Sequence, residues 1–173
     1  MSRMNILPVN CPYPILQAVL TISLGLCGAM ENKIATAVIQ NSAISTESPV
    51  FLKGSYEWEL HPEIPKRHGD ILIEKNFPDS FAGTILDKWL KDINADTVTI
   101  IGYMTQNCCD STARSAFHRD YGVEFLSDAT GTLSMTNYAG SVNAEELHRA
   151  ILVTQVRFGR VIGTDEWLSG LKG

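Results

Sequence analysis

Basic residues are in the minority: 14 Lys and Arg stand against 19 Asp and Glu, a net charge of −5. A nucleic-acid binder favours a basic face, so a polynucleotide partner is not expected. Cysteine is also scarce. Cys11, Cys27, Cys108 and Cys109 are even in number, but Cys108 and Cys109 are adjacent and would strain to pair. A domain of this size buries roughly 70% of its unfolded surface and needs no covalent staples, so the thiols are expected free and the chain cytoplasmic. No strand-like run is followed by a Gly-x-Gly-x-x-Gly or P-loop pattern, which argues against a nucleotide site. His61, His68, His118 and His148 lack ligand-like spacing, and neither a metal nor a cofactor is expected. Charge of either sign is missing from Met4 to Met30. That stretch loosely imitates a secretory signal, but Pro8, Pro12 and Pro14 precede its apolar run and Gln17, Thr21 and Ser23 interrupt it. It reads instead as a buried crossover helix, with no membrane partner.

The rest of the chain alternates apolar runs with helix-like segments. Strands are predicted over Met4 to Val9, Ile34 to Ile39, Asp70 to Glu74, Thr97 to Ile101, Val123 to Leu126 and Arg160 to Ile162. Helices are predicted over Ile15 to Met30, Gly83 to Asn94, Ala113 to Asp120, and Ala144 to Phe158, the last capped by Asn143. Alternation of this kind, with wholly apolar strands, predicts a three-layer α/β/α sandwich around a mainly parallel, doubly wound sheet. No linker or repeat divides residues 1–173, so a single domain is expected, with residues 1–30 its atypical strand and apolar helix. The long irregular connection from Asn41 to Arg67 carries Phe51, Tyr56 and Trp58 and is expected to wall a pocket.

In such a sheet the ligand crevice lies beyond the carboxyl ends of the strands. The groups placed there are Asn10, Asn41, Lys75, the turn from Tyr103 to Cys108, and Asp128. The turn is the most informative, because Gly102-Tyr-Met-Thr-Gln-Asn-Cys-Cys-Asp-Ser-Thr112 joins a β-branched run to a helix. A helix N-terminus favours thiolate over thiol, and a lysine nearby does the same, which makes Cys108 a candidate nucleophile and Lys75 its candidate partner. Cys109 is expected to face the core. Asp128 is read as a structural cap or turn residue rather than a catalytic replacement, and Arg114 as an exposed or paired helix residue rather than a substrate clamp. Phe51, Trp58, Phe77 and Tyr103 are candidate substrate-lining aromatics.

With these residues in view the chain resembles the isochorismatase-like cysteine hydrolases, a family that includes nicotinamidases and N-carbamoyl amidohydrolases. The likeness rests on Gly102, Thr105, Cys108 and Thr112, followed by Ala113-Arg-Ser-Ala-Phe and Ser127-Asp-Ala, and on Glu74-Lys75-Asn-Phe-Pro-Asp-Ser-Phe-Ala-Gly-Thr84. It covers roughly residues 34 to 170. The resemblance implies an Asp-Lys-Cys trio in which Cys108 attacks a carbonyl and Lys75 stabilises charge. It also implies a non-proline cis peptide between Tyr103 and Met104, an oxyanion hole from the Met104 and Cys108 N–H groups, and a homo-oligomer. The family's first strand ends in an acid. Here Leu7-Pro-Val-Asn10-Cys-Pro offers only Asn10 at that position. Two functions follow: a hydrolase that cleaves an amide-type C–N bond of a small molecule through a Cys108 thioester, or an impaired relative that binds a small ligand or a protein without turnover.

Overall fold

The computed structural model describes residues 2–5, 29, 31, 34–48, 50–56, 58–60 and 69–171. Among them six strands form one sheet: β1 (Ser2–Asn5), β2 (Thr36–Asn41), β3 (Ile71–Lys75), β4 (Thr97–Tyr103), β5 (Gly122–Gly131) and β8 (Arg160–Ile162). Their spatial order is β3-β2-β1-β4-β5-β8, and every neighbouring pair is parallel. The order reverses at β1, and a switch point of this kind is where a doubly wound sheet accepts ligands beyond its strand ends. The expected parallel sheet is what the chain forms. A separate hairpin of β6 (Met135–Asn137) and β7 (Gly140–Val142) stands outside it.

Hydrophobic patterning explains the layers. On one face Ile39, Ile73, Val98, Ile100 and Phe125 pack with Leu86 and Leu90 of α1 (Leu86–Asp92) and Ala113 and Ala116 of α2 (Asp110–Phe117). On the other, Val38, Ile101, Tyr103 and Leu126 pack with Ala29 and with Trp167 of α4 (Thr164–Gly170). Alternate residues of β2 and β4 supply opposite clusters, as the period of two requires. Both faces are therefore buried, which is why these strands read as unbroken apolar runs.

Several boundaries differ from the sequence-based expectation. The first strand runs over Ser2–Asn5 rather than from Met4 to Val9, and the expected helix over residues 15–30 lies outside the described residues apart from Ala29, which is helical. The helix expected from Gly83 begins at Leu86, because the Thr84 hydroxyl accepts the Leu86 N–H at 3.2 Å and turns the preceding residues into a cap. The helix α3 (Ala144–Thr154) starts as expected, with Asn143 Oδ1 accepting the Glu146 N–H at 2.9 Å. It gives way to a tighter turn over Gln155–Arg157. Asp128 is a cap: its Oδ1 accepts both the N–H and the hydroxyl of Thr164 at 2.9 and 2.8 Å, which fastens the start of α4.

Candidate active site

At the end of β4 the ladder shifts register between Ile100 and Gly102, and Gly102 takes a φ of 124°, a conformation that side chains rarely adopt. The Tyr103–Met104 peptide that follows is cis. The chain then winds through a wide turn, Thr105–Cys109, straight into α2. Within the turn the Met104 carbonyl accepts N–H groups from Asn107 at 3.0 Å and Cys109 at 3.3 Å. Cys108 is half-buried, while Cys109 is fully buried among the core residues of β2, β4 and α2. Burial, with the charge of the Cys108 sulfur adding to it, pushes the Cys109 thiol well above its ordinary range. Two adjacent thiols thus have opposite surroundings.

Lys75, the last residue of β3, is 1% exposed, and its ammonium reaches Cys108 Sγ at 3.2 Å. Its other two N–H bonds go to Asn41 Oδ1 at 3.0 Å and the Phe77 carbonyl at 2.7 Å. A lysine has three donors, so all are used. Among the described residues no carboxylate touches it. A buried cation calls for an anion, and of these three acceptors only the sulfur can ionise. The contact places a cationic donor against the sulfur of Cys108.

The turn is held from both sides. On the α3 side the Thr105 hydroxyl lies 2.8 Å from His148 Nδ1, and His148 Nε2 lies 3.0 Å from the Ser127 carbonyl. A carbonyl can only accept, so Nε2 carries the proton and Nδ1 accepts from Thr105. Burial holds the His148 imidazole below its ordinary range, opposed in part by the Ser127 carbonyl. Gln106 accepts from the Thr132 hydroxyl at 2.6 Å and donates to Met135 Sδ at 3.1 Å, which ties the turn to β6.

The segment after β2 packs beside the end of β3. The Trp58 indole donates to Ser42 Oγ at 2.7 Å, and Lys53 bridges to Glu74 at 2.7 Å while lying 5.8 Å from the Trp58 ring centre. The hydrogen bond from Lys53 holds the Glu74 carboxyl below its usual range. Phe51 is partly exposed in this segment, and Phe77 is 51% exposed beside Lys75. Tyr103 requires a correction. Expected as a substrate-lining ring, it is 2% exposed and belongs to the core beneath α4, with its ring so close to Gly131 that a Cβ there would lie 2.6 Å from Cε1. The signal was available: Tyr103 shares parity with Ile101, and both point to that face. Asn10, the expected replacement for the acid, lies outside the described residues, as do Cys11 and Cys27. Asn41, at the end of β2, is a partner of Lys75. Arg114 pairs with Asp110 at 2.8 Å and stacks 4.2 Å from the Phe158 ring centre, an anchoring role.

Residues 31–166 match the family model described as the isochorismatase domain. The chain is 37% identical over 106 residues to Nicotinamidase 3 of Arabidopsis thaliana, covering 60% of this chain and 48% of that protein. It is 36% identical over 100 residues to the ureidoacrylate amidohydrolase RutB of Methylobacterium radiotolerans, covering 58% of this chain and 35% of that one. The chain thus spans half or less of the length of these curated relatives. Among solved structures, an isochorismatase-type protein from Burkholderia xenovorans LB400 superposes with a TM-score of 0.92 at 37% identity, covering 99% of this chain and 87% of that one.

Proposed function

This chain belongs to the isochorismatase family, and from that premise we propose that it is a cysteine hydrolase that cleaves an amide-type C–N bond of a small molecule. The observation that carries the reading is the part-buried contact of 3.2 Å between Lys75 Nζ and Cys108 Sγ. The names of two relatives, a nicotinamidase and a ureidoacrylate amidohydrolase, support the bond type.

In the proposed reaction the Cys108 thiolate adds to the carbonyl carbon, and the Met104 and Cys108 N–H groups stabilise the oxyanion. Collapse breaks the C–N bond, and the departing amine takes a proton from the Lys75 ammonium. A thioester and a neutral lysine remain. Water then attacks the thioester and gives its proton back to Lys75. The second collapse releases the carboxylic acid and restores the thiolate. Phe51, Trp58 and Phe77 form the proposed substrate rim, without metal or cofactor. We also propose a cytoplasmic homo-oligomer. Free Cys108 and Cys109 suit a reducing compartment, and Val153 and Val156 offer exposed apolar surface for a second copy.

Release of ammonia or amine from a panel of small amides and ureides tests the reading. Turnover of at least one compound, lost in Cys108→Ala, is the expected result; no turnover of any would overturn it. A second reading, a ligand-binding relative without turnover, rests on the sequence Leu7-Pro-Val-Asn10-Cys-Pro, which offers an amide where the family has an acid. We place Asn10 where the family acid stands, so Asn10→Asp should raise hydrolysis about tenfold by adding a general base. Unchanged rates would remove Asn10 from that position.

A further inference from the structure

The sheet alone does not bring Lys75 to Cys108. β3 and β4 are separated by β2 and β1, and three strand spacings amount to about 14 Å. Lys75 stays in the ladder opposite Asn41, and beyond it residues 76–84 leave β3 and lie along α2, with the Phe77 carbonyl holding the ammonium. Four side chains of the turn and helix face that segment, Cys108, Thr112, Ser115 and Arg119, spaced at i, i+4, i+7 and i+11, which is one helical stripe.

Each member has a partner. Cys108 meets Lys75. The Thr112 hydroxyl donates to Ser80 Oγ at 3.0 Å and accepts the Ser80 N–H at 3.1 Å, with both residues fully buried. Ser115 donates to Asp79 Oδ2 at 2.8 Å, and the other carboxylate oxygen of Asp79 accepts the Phe81 N–H at 2.9 Å. Arg119 lies 4.8 Å from the Phe81 ring centre. The Phe81 side chain packs with Ala113, Ala116 and Tyr121, and this apolar contact holds the segment against the helix without fixing where along it. Hydrogen bonds have direction and fix the register.

We propose that Thr112 and Ser80, seconded by Ser115 and Asp79, are positioning residues that set the distance between the Lys75 ammonium and the Cys108 sulfur. The inference rests on the preceding reading of Cys108 as the nucleophile. Thr112→Val keeps the shape of the side chain but removes both hydrogen bonds to Ser80. The 76–84 segment then loses its register, Lys75 moves away from the sulfur, and less thiolate remains. Thr112→Ser keeps the hydroxyl.

The test is the rate of iodoacetamide labelling of Cys108, separated from Cys109 by tandem mass spectrometry, alongside thermal melting of each variant. The parent should label Cys108 faster than Cys109. Thr112→Val should label about fivefold more slowly than the parent and Thr112→Ser within about twofold of it, because reactivity follows thiolate content. Ser115→Ala, half-buried at the stripe's outer part, should slow labelling about twofold to threefold and decides the matter if Thr112→Val does not fold. The sign separates positioning from simple structural support, since loosened packing exposes the thiol and speeds labelling. Folded variants that label at the parent rate or faster would overturn the proposal. Equal labelling of Cys108 and Cys109 in the parent would overturn the nucleophile assignment, and the positioning role with it.

Discussion

Two flanks hold the cysteine turn, and they differ in what they are made of. Toward residues 76–84 the ties are the hydroxyl pair Thr112–Ser80 and the Ser115–Asp79 contact, with the Lys75 ammonium completing the row. Toward α3 the tie is an imidazole bridge, Thr105 to His148 to the Ser127 carbonyl. Hydroxyls do not titrate in the physiological range, whereas a histidine does. The Thr112–Ser80 pair should therefore keep its geometry across mildly acidic pH, while the imidazole bridge should weaken there.

The largest expected effect lies on the first flank. Lys75→Met removes the cation and leaves Asn41 Oδ1 and the Phe77 carbonyl without their donor. Amide turnover should fall by roughly a hundredfold or more, as expected when the group that moves the proton is lost; a variant that keeps a tenth of parental turnover would mean that another residue performs that step.

The next effect belongs to the second flank and has a definite sign. Because the folded protein holds His148 below its ordinary range, the unfolded chain binds the extra proton first as pH falls. Stability should therefore be constant above about pH 6.5 and decline on acidification below it, until the folded-state histidine itself titrates. Urea unfolding at a series of pH values in parent and His148→Gln checks this. A parallel decline in both proteins would assign the acid sensitivity to other groups. At neutral pH the substitution should cost about 1–3 kcal/mol by leaving buried partners imperfectly satisfied.

The smallest effect sharpens the comparison by lying beyond both flanks. Arg114→Ala removes the Asp110 pair and the stacking on Phe158, both partly exposed. About 0.5–1 kcal/mol of stability should go, measured by the same unfolding assay, with Cys108 labelling unchanged. A slowed label would draw Arg114 into the positioning network.

Much of this site could be read before any coordinates. β-branched runs marked β2 and β4, and the rule for strand ends put Lys75 and Cys108 at one edge of the sheet. What could not be read depends on long-range geometry. Nothing local tells that His148, on α3, reaches back to Thr105, or that Asn41 turns toward Lys75. The β6–β7 hairpin escaped because its strands are short and solvent-facing, with no apolar alternation to betray them, although Asn137, whose side chain accepts the Ala139 N–H at 2.8 Å, marks the turn. Tyr103 lies in the core because its parity along β4, shared with Ile101, outweighs its aromatic character.

The order of the strands gives the reactive pair a further property. Lys75 and Cys108 belong to opposite halves of a sheet whose central strand is β1, contributed by residues 2–5. Neither half contains a complete pair, so the contact joins residues 33 positions apart in the chain. Cys108 reactivity should therefore report on a long-range closure: followed during refolding, it is expected no earlier than the helices around it, and reactivity that precedes helix formation would break that link.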